Sequence, residues 1–442
     1  MKTSLSPISV ERLLKGILQS EASLVDPFPR DPAARQPVHV IYGGAHLFKF
    51  DTAPKLGRLA LRAFDTYAPD ERTFAAAFDI PRKLASKVFV RVRQKLESEP
   101  VEDLRIDFED GYGPRADDEE DAHAVSAATE VARGMAAHTL PPFTGIRIKS
   151  LSAETAARAV RTLDLFLTEL CDKSGGYLPE NFVVTLPKVV SADQIAAVAG
   201  ILNEIESASG LAAGLIKLEV MIETPQSILA PDGTVPLMRF YDAAGGRCVS
   251  AHFGAYDYLA GCGVSRADQE LNHSACDFAR NIMQVAFAGT GVRLSDGATN
   301  VLPIAPNRGE NLSPEMAAEN SRVVHQSWKT HYDNCRRSLG NGFYQSWDLH
   351  PAQLPARYAA VYSHFLEGID LAGERLRNFI GQAARASLVG NTFDDAATVQ
   401  GLLNYFVRAV NCGAVSDKEV AELTGLNTGQ LRSGSFAMIM RQ

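Results

Sequence analysis

The 442-residue sequence predicts an α/β fold closed as a TIM (β/α)8 barrel, with an N-terminal helix before it and a C-terminal helical extension after it. Two observations carry this. Short, β-rich apolar runs alternate with longer Ala-, Leu- and Glu-rich stretches, the pattern of parallel strands joined by crossover helices. The runs number eight, and eight such units suggest closure into a barrel. An open doubly wound sheet is the competing architecture. It would favour a glycine fingerprint for a dinucleotide after the first run, and none is present.

Residues 1–37 read as an N-terminal helix and connector. Ile8, Leu13, Leu14, Ile17, Leu18 and Leu24 recur at helical spacing over 8–24, and a Pro- and Arg-rich stretch follows. Residues 38–355 form the barrel. Its expected strands are Val38–Tyr42, Leu104–Phe108, Gly145–Lys149, Phe182–Leu186, Ile216–Ile222, Cys248–Phe253, Val292–Leu294 (continuing to Ile304) and Phe343–Leu349. Expected helices between them include 56–67, 116–136, 152–170, 192–209, 227–241 and 267–288. Residues 356–442 form a helical extension, with helices over 355–385, 394–410 and 416–424 and no strands.

Composition narrows the function classes. Hydrophobic residues are 46% of the chain, enough for a sizeable core, and the net charge is −8. An acidic chain without a basic stripe gives no reason to expect nucleic acid or an acidic membrane as partner. No run of about 18 apolar residues predicts a membrane span. The six cysteines form no CxxC pair, so a zinc framework is not expected and a reduced cytoplasm fits.

In a barrel, chemistry sits at the C-terminal ends of the strands. The fifth run ends Ile222-Glu223-Thr224-Pro225, and the sixth ends Phe253-Gly254-Ala255-Tyr256-Asp257. Adjacent strands lie about 4.8 Å apart, so Glu223 and Asp257 can converge as a magnesium-type pair. Alternatively each carboxylate caps a helix. The second run ends Asp107-Phe108-Glu109-Asp110-Gly111, where Glu109 and Asp110 are candidate proton-transfer groups or simply cap the acidic helix that follows. Arg147, between two apolar residues of the third run, needs an anionic partner if it points inward. A substrate carboxylate and an internal salt bridge both answer that need.

Lys188 follows the fourth run, as a second cation or as an imine-forming lysine. After the first run, Gly43 and Gly44 permit close approach to a ligand. His46 beside them is an acid/base candidate or a structural histidine. His350, held before Pro351, orders the last loop.

In sequence order these segments resemble the citrate lyase β-subunit-like, or HpcH/HpaI aldolase, family of the phosphoenolpyruvate/pyruvate barrel superfamily. Ile106-Asp107-Phe108-Glu109-Asp110-Gly111 is similar to the family's DLEDG segment. Ile146-Arg147-Ile148 is similar to its strand-three arginine motif, and Leu186-Pro187-Lys188-Val189 to its PK-V/I strand end. Ile222-Glu223-Thr224 matches IET, and Phe253 to Tyr258 matches FG-x-x-D-L. Gly289 to Gly297 resembles aGi…DG, and Gly342 to Gln353 resembles GF…IHP-x-Q.

The resemblance covers residues 38–355. It implies that Glu223 and Asp257 ligate Mg2+ (or Mn2+) and that Arg147 is catalytic and binds the carboxylate and keto oxygens of the substrate. Glu109, Asp110 and His46 complete the expected catalytic set, and Gly43, Gly44, Lys188, Gly254 and Ala255 the substrate-binding set. The implied activity is a Mg2+-dependent carbon–carbon lyase or aldolase working through an enolate. Its substrate would be a 2-oxo acid, hydroxy acid or acyl-CoA relative. An imine aldolase using Lys188 and a non-catalytic regulatory barrel are the alternatives. The implied assembly is a homo-oligomer, trimer or hexamer. The chain departs from the family's pattern over 42–67, at Lys149 and beyond residue 385, and it shows no basic cleft for CoA phosphates.

Overall fold

The computed structural model describes residues 34–432, apart from 310, 382–386, 390, 391 and 395, together with residues 6, 8–12, 14 and 15. Eight parallel strands close on themselves in sequence order. They are β1 (His39–Gly44), β2 (Asp103–Asp107), β3 (Phe143–Arg147), β4 (Val183–Leu186), β5 (Lys217–Ile222), β6 (Cys248–Phe253), β7 (Arg293–Ala298) and β8 (Gln345–Asp348). Each overlaps the run expected for it, and β8 closes the ring by pairing Asp348 with Ile41 of β1.

Local chemistry explains the strand–helix junctions. Four acidic residues open the Asp117–Ala137 helix and complement its dipole. Ser191 and Gln194 form a capping box at the start of Ala192–Ala208. Thr224 caps the turn after β5, with Pro225 at the first helical position.

Several expectations are corrected. The seventh strand stops at Ala298 and does not run on to Ile304. The helix expected over 227–241 is two short helices, Pro225–Ile228 and Leu237–Ala243. A turn at Pro231-Asp232-Gly233 separates them, closed by Ala230 N–H bonding Thr234 O at 2.9 Å. The helix expected over 355–385 is likewise two, Leu354–Glu367 and Ile369–Gly381. The extension carries a strand pair, Ser387–Val389 against Thr392–Asp394, where none was expected. Within residues 8–24, positions 8–12, 14 and 15 are helical; the rest of that expected helix lies outside the described residues.

The Leu354–Glu367 helix is almost wholly buried against the barrel's outer helices. Below the mouth, one polar network pins this layer to the strands. Asp348 receives His39 Nδ1 at 2.9 Å, His331 Nε2 at 2.8 Å and Arg357 Nη2 at 2.7 Å, all of them buried. The last described helices dock similarly, through Glu419 to Lys87 and Arg91 of the Arg82–Ser98 helix. Among the described residues no helix is long and apolar enough to cross a membrane.

Candidate active site

Side chains alternate along a strand, so Asp103, Arg105 and Asp107 of β2 share the inward face of the barrel. The middle of the barrel is therefore polar. Arg105 donates to Glu219 at 2.8 and 3.2 Å and pairs with Asp103. Glu219 also takes the Thr185 hydroxyl at 2.7 Å and lies 2.7 Å from His252 Nε2. Burial pushes the Glu219 carboxyl up, but Arg105 and His252 outweigh it and hold it well below the usual range. Gly145 makes room here, since a methyl group on it would stand 2.3 Å from Val183 O and 3.2 Å from Arg105 Cδ. Tyr42 rises from this layer, its hydroxyl 3.3 Å from Glu219 and 3.1 Å from His252 Nδ1.

Above it lies Arg147, 1% exposed. Its guanidinium sits over the Tyr42 ring at 4.7 Å and the Trp347 ring at 5.4 Å. Nε and Nη2 grip Asp107 at 2.7 and 2.5 Å. Asp107 also accepts the Glu109 and Gly111 N–H groups at 3.0 and 2.7 Å, which folds the loop after β2 back over the mouth. The internal salt bridge thus takes one edge of Arg147. The other edge, Nη1, faces Glu109 at 3.2 Å and Asp110 at 4.0 Å.

Glu109 and Asp110 meet Lys188. Its ammonium contacts Glu109 and lies 3.1 Å from Asp110. Burial opposes the Lys188 charge, yet Glu109, Glu223 and Asp110 hold its pKa above the usual lysine value. Glu109 is raised by burial and by the neighbouring Asp110, despite Arg147 and Lys188. Asp110 is lowered: burial pushes it up, and Glu109, Lys188 and Arg147 outweigh that. Lys188 adopts a left-handed backbone, φ 51°, and its N–H donates to Glu223 Oε1 at 2.7 Å.

Glu223 is 2% exposed, and burial together with the neighbouring Asp257 pushes it up to about 8. Asp257, in the first turn of the Ala255–Gly261 helix, is raised by burial and by Asp110, against Lys188 and Arg147. Gly254 and Ala255 are buried at the start of that helix. His46 stands apart on the rim beyond β1, near the rings of Tyr112 and His123 at 5.6 and 6.2 Å. Burial, Arg115 and His123 lower its pKa. Gly44 packs against this group: a methyl on it would stand 2.4 Å from Gly111 O and 2.7 Å from His46 Cε1, whereas Gly43 has open space. His350 caps the turn after β8, accepting Ala352 N–H at 3.1 Å, as expected of a loop-ordering residue. Lys149 is held by Glu120 at 2.5 Å and Phe108 O at 2.9 Å, away from Glu223.

The mouth therefore gathers Arg147, Glu109, Asp110, Lys188 and Glu223, with Asp257 close enough to raise Glu223. His46 lies to one side, against Tyr112 and His123. Tyr42, Asp107, Glu219, His252 and Trp347 carry the arrangement from beneath, and of these the sequence singled out only the segment that holds Asp107.

The group fits a divalent cation in its chemistry. Glu223 and Asp257 are hard carboxylate donors, Glu223 raised by burial and by Asp257, and Asp257 raised by burial and by Asp110, and a bound cation would relieve both. Among the described residues no cluster of three or more His, Cys, Asp or Glu is placed to hold a metal, so water and substrate oxygens would complete the coordination.

The family described as "Domain of unknown function (DUF6986)" matches residues 17–439. No curated protein matches the sequence. A solved citrate lyase from Burkholderia xenovorans LB400 shares the fold. It has 18% identity and a TM-score of 0.57, and the alignment covers 89% of this chain and 97% of that one. Protein CitE from Mycobacterium tuberculosis, in complex with magnesium, acetoacetate and coenzyme A, aligns at 15% identity. Its TM-score is 0.48, over 86% of this chain and 99% of that one. A Haloferax volcanii malate synthase, as its magnesium/glyoxylate complex, aligns at 15% identity. Its TM-score is 0.47, over 90% and 97%.

Proposed function

The chain belongs to the DUF6986 family, and from that starting point we propose that it is a Mg2+-dependent enzyme that makes or breaks a carbon–carbon bond beside a carbonyl. The observation that carries this reading is the close fit of Gly254, at the head of the Asp257 helix, against the Glu223 carboxylate, which also accepts the Lys188 N–H at 2.7 Å. Its substrate class is a 2-oxo acid, a hydroxy acid or a related acyl thioester. The solved citrate lyase that shares this fold supports the class of chemistry.

Glu223 and Asp257 would hold the cation, which supplies Lewis-acid stabilisation of an enolate oxygen. Every other task falls to side chains. Arg147 is locked by Asp107 along one edge and over Tyr42, so Nη1 is presented without a search over rotamers. There it donates to a substrate carboxylate or to oxygen charge that grows in the transition state. Glu109, raised by burial and paired with Asp110, is the group best suited to take a proton next to the carbonyl and return it. His46, with its pKa lowered, is a second proton-transfer group at the rim.

Lys188 serves as a cation. An imine requires a neutral amine, and two carboxylates keep this ammonium charged.

The direct test is proton exchange at the methyl group of pyruvate in D2O, followed by proton NMR. Exchange that needs Mg2+ and is lost in Glu223→Gln and Asp257→Asn supports the reading. Exchange that survives EDTA, or both substitutions, overturns it.

A further inference from the structure

The barrel mouth has two unlike halves. The ends of β2 to β6 supply the charged groups, among them Glu109, Arg147, Lys188, Glu223 and Asp257. The remaining arc, β7, β8 and β1, is contiguous in the closed barrel. Its rim carries apolar side chains in water: Leu47 is 71% exposed, Ile304 44%, Val301 42% and Leu349 41%. Single exposed apolar residues are ordinary, but a group of them on the rim of a polar cleft marks a binding surface.

Two of these residues, Val301 and Leu349, are tied together. The Gln353 side chain accepts Leu349 N–H at 2.8 Å and donates to Val301 O at 3.3 Å, which holds the β7 and β8 loops side by side. The Tyr256 hydroxyl donates to Ala298 O at 2.8 Å and so joins the β7 end to the helix that carries Asp257. Trp347 of β8 sits where the halves meet, its ring 4.2 Å from Tyr42 and under the Arg147 guanidinium at 5.4 Å. Its indole N–H is buried and has no acceptor among the described residues, a donor left for a ligand oxygen at that junction.

We propose that the substrate carries an extended hydrocarbon chain or ring behind its oxo-acid head, seated on Leu47, Val301, Ile304 and Leu349. The proposal rests on the metal-centred reading above and narrows its substrate class. A head bound to Arg147 over Trp347 leaves its remaining carbons facing this arc. Each methylene covered there adds about twofold to fourfold in affinity.

The test is isothermal titration of the full chain with pyruvate, 2-oxobutanoate and 2-oxohexanoate, each with Mg2+ present. The dissociation constant is expected to fall with each added carbon. In Leu349→Asp and Val301→Asp, checked for folding by thermal melting, the dependence on chain length is expected to flatten. Pyruvate binding with no chain-length dependence, or an unchanged slope in both variants, overturns this proposal alone. Failure of every acid to bind overturns the metal-centred reading and this proposal with it. Dissociation of an assembly by either substitution, seen by sedimentation, assigns the arc to a second copy of the chain and also overturns it.

Discussion

Gly254 lies so close to Glu223 that a methyl group on it would stand 2.4 Å from both the Glu223 Cβ and Oε2. The start of the Asp257 helix is thus fitted directly against the carboxylate of the neighbouring strand. Gly254→Ala should cost about 1–3 kcal/mol in stability and weaken Mg2+ binding more than it weakens the fold. A thermal melt and a Mn2+ titration of the same variant check this. Unchanged metal affinity would show that the close approach serves packing only.

Arg147 and Asp107 are buried partners, so removing either leaves a charge without its counterpart. Arg147→Ala should destabilise the chain by about 3–5 kcal/mol, read from urea unfolding. Arg147→Lys keeps the charge but not the two-pronged grip. It should retain more stability than the alanine variant while still losing pyruvate exchange. Stability equal to wild type in Arg147→Ala would mean that Asp107 is satisfied by the loop N–H groups alone.

Lys188 should not form an imine. Borohydride reduction in the presence of pyruvate should leave the protein mass unchanged, and Lys188→Arg should retain part of the exchange activity. A stable adduct mapped to Lys188 would favour the imine aldolase instead.

His331 makes stability depend on pH. Burial opposes its charge, but Cys335 and Asp348 outweigh burial and raise it to about 9. The stabilisation is therefore complete below about pH 6.5, the unfolded value, and is lost as pH rises through about 9. Asp348 is held well below its usual value by Arg357, His331 and His39 despite burial, so its contribution is present above about pH 4 and is lost on acidification. The melting temperature should fall between pH 7 and 10, and His331→Gln should flatten that fall at the cost of a lower melting temperature at pH 7. An equally steep alkaline fall in the variant would assign it to other groups.

The eight strands were legible because short β-rich segments ending in Gly, Asp, Glu or Pro recur between longer helical stretches. The break within 227–241 was hidden because apolar residues continue on both sides of Pro231-Asp232-Gly233, and only the turn dipeptide signals it. The strands at 387–389 and 392–394 are too short for periodicity to register. At the mouth, strand-end position pointed to Glu109, Arg147, Lys188, Glu223 and Asp257, which the structure brings into one region. It also pointed to His46, which sits to one side. The polar layer under them left a signal that went unread. Asp103, Arg105 and Asp107 alternate at period two in one strand, which places three charges on a single inward face. Glu219 and His252 gave no such signal, since each stands alone in an apolar run and acquires its partner only across the barrel.

Anomalous diffraction from crystals grown with Mn2+ and pyruvate tests this metal site most directly. One strong peak is expected at the barrel mouth, coordinated by Glu223 and Asp257, with pyruvate oxygens on the same ion. No peak at that position in crystals of protein that catalyses metal-dependent exchange, or a peak held by other side chains, would contradict it.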